Sequence, residues 1–293
     1  MTISLESGKI KAAGHNLYYE SYGKDEHGSI LCLHGGPGAA CDLVRPTAAL
    51  AQFGFRVVIY DQLGCGRSQR PKSYSGMTME SLADEADAVR RQLNLGRCHL
   101  FGYSFGGALA LQTILRHPRG FRSLCVGSGY ASDSEAADGV RRLVAELPRS
   151  LRTAIEDFEL RGKGPEKQYQ RACGYFFQRH SSRFAVTPLD MLLGRQSVNP
   201  AIGNAMVGHE HILGESTGTL AGWDVRKELP RIRVPTLVTV GRRDFITPRC
   251  AETIRRGIPS SRLITYKHSG HTALYEEMDA YLKNLRDFFL KNS

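Results

Sequence analysis

The stretch Gly102-Tyr103-Ser104-Phe105-Gly106 constrains this chain more than any other. Before it, Cys98-His99-Leu100-Phe101-Gly102 reads as a buried strand, and after it Gly106 to His117 reads as a helix that Pro118 ends. A chain that passes from strand to helix across one serine must turn sharply. The middle residue is then held in a strained backbone conformation, with its hydroxyl lifted into the open. Glycine is required two residues before and two after, because side chains there would collide across the turn. The bare pattern is common by chance, and its strand-to-helix setting is what gives it meaning here.

The neighbouring sequence supplies a matching frame. Ser29-Ile30-Leu31-Cys32-Leu33 reads as a buried strand closed by the turn-rich His34-Gly35-Gly36-Pro37-Gly38, and Arg56 to Asp61 is a β-branched run followed by Gly64 and Gly66. Leu82, Ala86, Val89 and Leu93 mark one face of a helix that stops at Gly96. Phe121 to Gly127, Thr236 to Val240 and Leu263 to Tyr266 are further strands. The last helix is expected to bury Met278, Leu282, Leu285 and Phe289. Alternating strands and helices imply an α/β fold with a mostly parallel central sheet flanked by helices, because parallel neighbours need crossover connections.

Between Ala131 and Trp223 the rhythm changes. Val140 to Phe158 and Lys167 to Phe177 read as helices, with no apolar strand between them. We therefore divide the chain into a core of residues 1–130 and 224–293, interrupted by a helical cap over residues 131–223.

Composition narrows the function classes. The formal charge is +10, but Ala131 to Gly222 carries eleven Lys/Arg against eleven Asp/Glu, and the excess elsewhere falls in isolated pairs such as Arg90-Arg91. Scattered pairs indicate solvated surface charge rather than a specific nucleic-acid face. No stretch approaches the roughly 20 apolar residues of a membrane span, and Met1 to Gly14 has no apolar run of the secretory type. Seven scattered cysteines without a Cys-x-x-Cys pair fit free thiols in a reducing cytoplasm. His209-Glu210-His211 lacks a further ligand at metal spacing, so no metal site is expected.

A serine hydroxyl needs a base, and the base an orienting carboxylate. On a sheet with this elbow the chain order is serine, acid, histidine, each at the carboxyl end of a strand. Asp244 and His271 stand at those places, after the strands ending near Gly241 and Tyr266. His268 is a rival base, and His271 is preferred because Gly270 permits a tight turn that would aim it into the site. Asp61 is a rival acid on a different loop. Two N–H donors are needed for a developing oxyanion. Phe105, following the serine, supplies the first, and Gly36 the second, with Gly35 as the close alternative.

Together these residues resemble the α/β-hydrolase superfamily and, within it, the proline iminopeptidase family of serine peptidases. His34-Gly35-Gly36-Pro37-Gly38 is similar to that family's HGGPG loop, and Asp61 to Ser68 to its DQxGxGxS loop. Tyr175-Phe176-Phe177-Gln178-Arg179-His180 resembles an aromatic segment of its cap, and Thr217 to Asp224 the return to the core. The resemblance implies removal of an N-terminal residue, often proline, from short peptides, amides or arylamides, without metal or organic cofactor. It also implies a cap carboxylate shortly before Thr217 that reads the substrate amine, with Glu210 favoured over Glu215. Tyr169, Tyr175, Phe176, Phe177 and Phe184 are candidates to line the pocket. Some members carry a glutamate directly after the triad aspartate, where this chain has Phe245, which would face the substrate without charge.

Three readings follow. One is a serine aminopeptidase acting on a short peptide or amino-acyl amide. Another keeps the triad for an ester, lactone or amide of a metabolite. The last is a ligand-binding protein that reuses the fold.

Overall fold

The strands alternate side chains between two buried faces. Leu31, Leu33, Val58, Tyr60, Leu100, Leu124, Val126, Val238 and Val240 enter one apolar cluster, while Ile30, Cys32, Val57, Ile59, Phe101, Cys125 and Leu237 enter another. Burial on both sides is why these runs read as continuously apolar in the sequence. The computed structural model describes residues 4–182, 198–208 and 212–293. Within them, eight strands form one sheet: β1 (Leu5–Ala12), β2 (His15–Tyr22), β3 (Ser29–Leu33), β4 (Arg56–Tyr60), β5 (Cys98–Tyr103), β6 (Phe121–Gly127), β7 (Thr236–Gly241) and β8 (Ser261–Tyr266). Their order is β1-β2-β4-β3-β5-β6-β7-β8. The β1–β2 and β2–β4 pairs are antiparallel and the others parallel.

Helices α1 (Met79–Gln92) and α2 (Phe105–Arg116) cover the first face, where Leu82, Ala86, Val89 and Leu93 are all buried as the spacing predicts. A run of 3-10 helix, Cys41–Phe53, and the C-terminal helix cover the second face. Inserted between β6 and β7 are α3 (Asp133–Ala145), α4 (Arg149–Arg161), α5 (Glu166–His180) and α6 (Pro200–Met206). Helix α7 (Pro248–Gly257) follows β7, and α8 (Ala273–Glu276) and α9 (Met278–Lys291) close the chain. The inserted helices own an apolar cluster of Val144, Leu147, Ile155, Ala172, Phe176 and Leu213. The insertion leaves and rejoins the core at one place. Ser132 and Asp224 form an antiparallel bridge, flanked by Asp133 N–H on Trp223 O (2.9 Å) and Val225 N–H on Ala131 O (2.8 Å). Among the described residues no helix is long and apolar enough to cross a membrane.

Three details differ from the sequence reading. The single helix expected from Val140 to Phe158 is two, α3 and α4, because Pro148 has no N–H to continue the ladder and disfavours helix in the residue before it. The first 22 residues contain a hairpin, β1–β2, that the sequence reading left out. In α9 the buried face is Tyr281, Leu285, Phe288 and Phe289, while Met278 is exposed.

One buried group on α1 gives this fold a pH signature. Glu85 is almost wholly enclosed and accepts the Leu63 N–H at 3.2 Å. Burial pushes its carboxyl from 4.5 up to about 8, despite the opposing Leu63 hydrogen bond. Between those pH values the folded chain keeps a proton that the unfolded chain releases. Stability is therefore present in full below the lower value and lost as pH rises through the upper one, by a few kcal/mol in all. Glu85→Gln removes this loss. Its Tm relative to the parent is expected to climb steadily between about pH 5 and pH 8, as scanning calorimetry would read. A constant difference across that range would mean Glu85 does not titrate there.

Candidate active site

Ser104 sits between β5 and α2 at φ 59°, ψ −125°, a region that L-residues avoid. The surrounding glycines make that turn possible. A Cβ on Gly102 would lie 2.0 Å from Gly106 O, and one on Gly106 would lie 2.2 Å from Leu33 O. Ser104 N–H is tied to Gly127 O at 2.8 Å.

The loops after β7 and β8 bring two side chains to this serine. His271 Nε2 accepts from Ser104 Oγ at 2.9 Å, and His271 Nδ1–H donates to Asp244 Oδ1 at 2.7 Å. Asp244 Oδ1 also accepts the Ile246 N–H at 2.8 Å. Asp244 and His271 are both buried. The arrangement can take a proton from the hydroxyl, hold it on an imidazole and stabilise the resulting charge. The rivals are elsewhere. His268 is exposed, its N–H on Glu277. Asp61 accepts the N–H groups of Cys41 (2.7 Å) and Arg67 (2.8 Å), so it braces loops.

Phe105 is the first residue of α2, so its N–H is one that the helix leaves free. Facing it across Ser104 is the loop after β3. Gly35 packs so closely that a Cβ there would lie 3.0 Å from Ser104 Cβ, and Gly36 has φ 127°. His34, buried beneath the loop, donates from Nδ1 to Gly35 O at 2.8 Å and accepts the Gln62 N–H on Nε2 at 3.1 Å. In a trans peptide the C=O and the next N–H point in opposite directions. Pinning Gly35 O therefore turns the Gly36 N–H the other way. Burial lowers the His34 pKa, which keeps the ring neutral and in the tautomer that both bonds require. The sequence reading used His34 only as part of a motif. Its position directly before two glycines was the available signal.

The cavity above Ser104 has a volume of about 280 Å³. Its apolar wall includes Ala39, Leu43, Phe177, Val198, Phe245 and Tyr275, and Gly35 and Gly36 form its floor with Ser104. Phe245 lies against the imidazole, ring centroids 4.1 Å apart, and Phe177 meets Phe245 edge-on at 5.8 Å. Of the expected aromatic lining, Phe177 faces the cavity, whereas Tyr175 and Phe176 do not line it. Ala172, Phe176 and His180 recur at four-residue spacing on the buried stripe of α5, while Phe177 and Ser181 share the cavity stripe. Tyr175 is 40% exposed. Tyr169 stacks on Phe158 and donates to Glu159 at 2.7 Å. Phe184, His209, Glu210 and His211 lie outside the described residues. Glu215 pairs with Arg141 at 3.3 Å, half-exposed and away from the cavity lining.

Among the described residues, two stretches of the inserted segment hydrogen-bond to the site's loops. At one, Asn199 N–H donates to Gly38 O at 2.8 Å and its Nδ2 to Gly64 O at 2.9 Å. At the other, the end of α5 meets the His271 loop, with His271 N–H on His180 O at 2.9 Å. From below, Tyr103 O–H donates to His271 O at 2.6 Å.

Residues 28–278 match the family described by the alpha/beta hydrolase fold. A protein named proline iminopeptidase from Saccharolobus solfataricus is 35% identical, over 98% of this chain and 93% of its own length. One of the same name from Thermoplasma volcanium is 33% identical, over 98% and 97%. The crystal structure of proline iminopeptidase from Mycobacterium smegmatis superposes with a TM-score of 0.89 at 28% identity, covering 98% of both chains. That of VinJ also superposes at 0.89, with 29% identity over 98% and 99%. With an elbow serine, an eight-stranded sheet and full-length relatives of one name, this chain belongs to the alpha/beta hydrolase fold family and, within it, to the proline iminopeptidase group.

Proposed function

We propose that this chain is a serine aminopeptidase that releases an N-terminal proline or small residue from short peptides, amides or arylamides. The observation that carries the reading is the unbroken relay from Ser104 Oγ through His271 to Asp244, at 2.9 and 2.7 Å, beneath a small apolar cavity. Ser104 Oγ attacks the carbonyl carbon while His271 Nε2 takes its proton. The oxyanion gathers the N–H groups of Gly36 and Phe105, each preorganised donor lowering the barrier by about 3 kcal/mol. His271 then gives the proton to the departing amine, leaving an acyl-enzyme. Water, deprotonated by the same imidazole, releases the acid and restores Ser104. Residues 131–223 act as a cap that limits substrates to short ones, on a core of residues 1–130 and 224–293. No metal or organic cofactor enters this scheme. All seven cysteines are free thiols, which supports a cytoplasmic setting.

A second reading has one observation in its favour. Among the described residues that line the cavity there is no carboxylate, and Phe245 stands beside His271. A neutral acyl group would fit such a wall, as in an ester or lactone, whereas an ammonium entering it needs a carboxylate partner. Glu210 is the residue to supply one.

The deciding experiment compares a prolyl arylamide, an alanyl arylamide, N-acetyl-prolyl arylamide and a short-chain aryl ester. The aminopeptidase reading expects turnover of both free-amine arylamides, rejection of the acetylated one, and a raised KM for the free amines alone in Glu210→Gln. Turnover of the ester only would transfer the site to the second reading. No reaction of Ser104 with a fluorophosphonate would leave a binding protein.

A further inference from the structure

His180, the last residue of α5, touches both loops that carry the catalytic pair. A helix leaves its last carbonyls without partners of its own. Here the chain at the end of α5 gives two of them to the base loop. His180 O accepts the His271 N–H at 2.9 Å, and Ser181 O accepts the Thr272 N–H at 3.0 Å and the Thr272 hydroxyl at 3.1 Å. The approach is tight, since a Cβ on Gly270 would lie 2.6 Å from His180 O. The His180 side chain turns to the other loop, donating from Nδ1 to Arg243 O at 2.9 Å, one residue before Asp244. Arg243 N–H returns to Ser269 O at 3.0 Å and closes the ring.

The ring is buried against Phe176, centroids 5.0 Å apart, and burial lowers its pKa, so it stays neutral with its proton on Nδ1. Fixing Arg243 O fixes the plane of the peptide that leads into Asp244. Phe177, one position after Phe176 on the same helix, is cavity wall. One end of one helix thus carries substrate contact, main-chain support of the base and side-chain support of the acid.

We propose that His180 is a positioning residue for the reaction. It sets the mutual geometry of Asp244 and His271 from the inserted helices, while Tyr103 braces the His271 loop from the core. It touches neither the reacting atoms nor Ser104. The inference rests on the relay proposed above, but not on which acyl group is cleaved.

The donor sits one bond from the imidazole Cγ, where the amide nitrogen of an asparagine also sits, while a glutamine places its amide one atom further out. His180→Leu and His180→Gln are therefore expected to lower kcat by about 10- to 100-fold with KM nearly unchanged, the scale set by small misplacements of reacting groups. The loss should be equal for an arylamide and a short-chain aryl ester. His180→Asn should recover kcat to within a few-fold. Fluorophosphonate labelling of Ser104, which needs the base but no particular substrate, should slow in the same order. Should the leucine variant fail to fold by circular dichroism, the asparagine and glutamine pair decides alone. A raised KM with unchanged kcat, or equal behaviour of asparagine and glutamine, would overturn the assignment. A parent protein that does not label at all would instead remove the relay itself.

Discussion

Ser104→Ala is expected to lower kcat by about 10⁵- to 10⁶-fold on any substrate the protein turns over, while leaving the fold intact. In the proposed route the hydroxyl forms the covalent bond to the acyl group, and what survives its loss is the help that bound donors and orientation give to water. Structurally the change is small. It removes one oxygen and the 2.9 Å bond to His271, and it leaves the glycine packing around the turn untouched. Tm should therefore stay within a few degrees of the parent. Asp244→Asn is the informative companion, at about 10⁴-fold, because the imidazole would then hold its proton on the wrong nitrogen. Intact-mass detection of a fluorophosphonate adduct on the parent, absent from the alanine variant, checks the same point without choosing a substrate. Retention of more than about one per cent of activity by the alanine variant would exclude Ser104 as the nucleophile.

Gly106→Ala should have a large effect on stability. Its Cβ would fall 2.2 Å from Leu33 O and 2.6 Å from His34 O, which are main-chain atoms at the end of β3 and the start of the glycine loop. Neither can swing aside as a side chain could. The options are partial unfolding or displacement of the loop that carries Gly36. We expect a loss of about 4 kcal/mol or more, and negligible turnover in whatever fraction remains folded. Gly174→Ala is the control. It lies on the exposed side of α5 with nothing within 4 Å of the added carbon, so it should stabilise by about 0.5–1 kcal/mol. Chemical denaturation of the two variants side by side checks both signs.

The elbow was readable because its physics is local. Gly102 and Gly106 are glycines for a steric reason confined to one turn, and strand, turn and helix are adjacent in the chain. The meeting of Asp244 and His271 with Ser104 was readable because strand ends and chain order leave few places for an acid and a base. The buried stripe of α1 was readable from its period. The hairpin β1–β2 was not. The residues of β1 are largely exposed, and the two-residue turn is Ala13-Gly14, both at positive φ (50° and 83°), where asparagine or aspartate usually announces the first position. The aromatic segment of α5 gave the right helix but not its rotation, so Phe177 could not be separated from Tyr175 and Phe176. His34 acts through the carbonyl of the next residue, whereas Tyr103 and His180 act through main-chain atoms of other loops, 168 and 63 residues distant. No spacing rule encodes such a contact. Only packing reveals it.

The side-by-side exit and re-entry at Ser132 and Asp224 has a consequence for how such a chain diversifies. The chain leaves the sheet before α3 and returns after α6 at one bridge, so on the proposed division into core and cap the sheet need not register the length of the segment between. Doubling a suspended segment costs only about 0.6 kcal/mol of closure entropy. On that division, exchanging the module would change what enters while leaving the sheet as it is. The graft is not unconditional. Asn199 on Gly38 and His180 on His271 and Arg243 are splints between module and core. A transplanted module that fits the bridge but lacks those bonds would bind its molecule and fail to convert it.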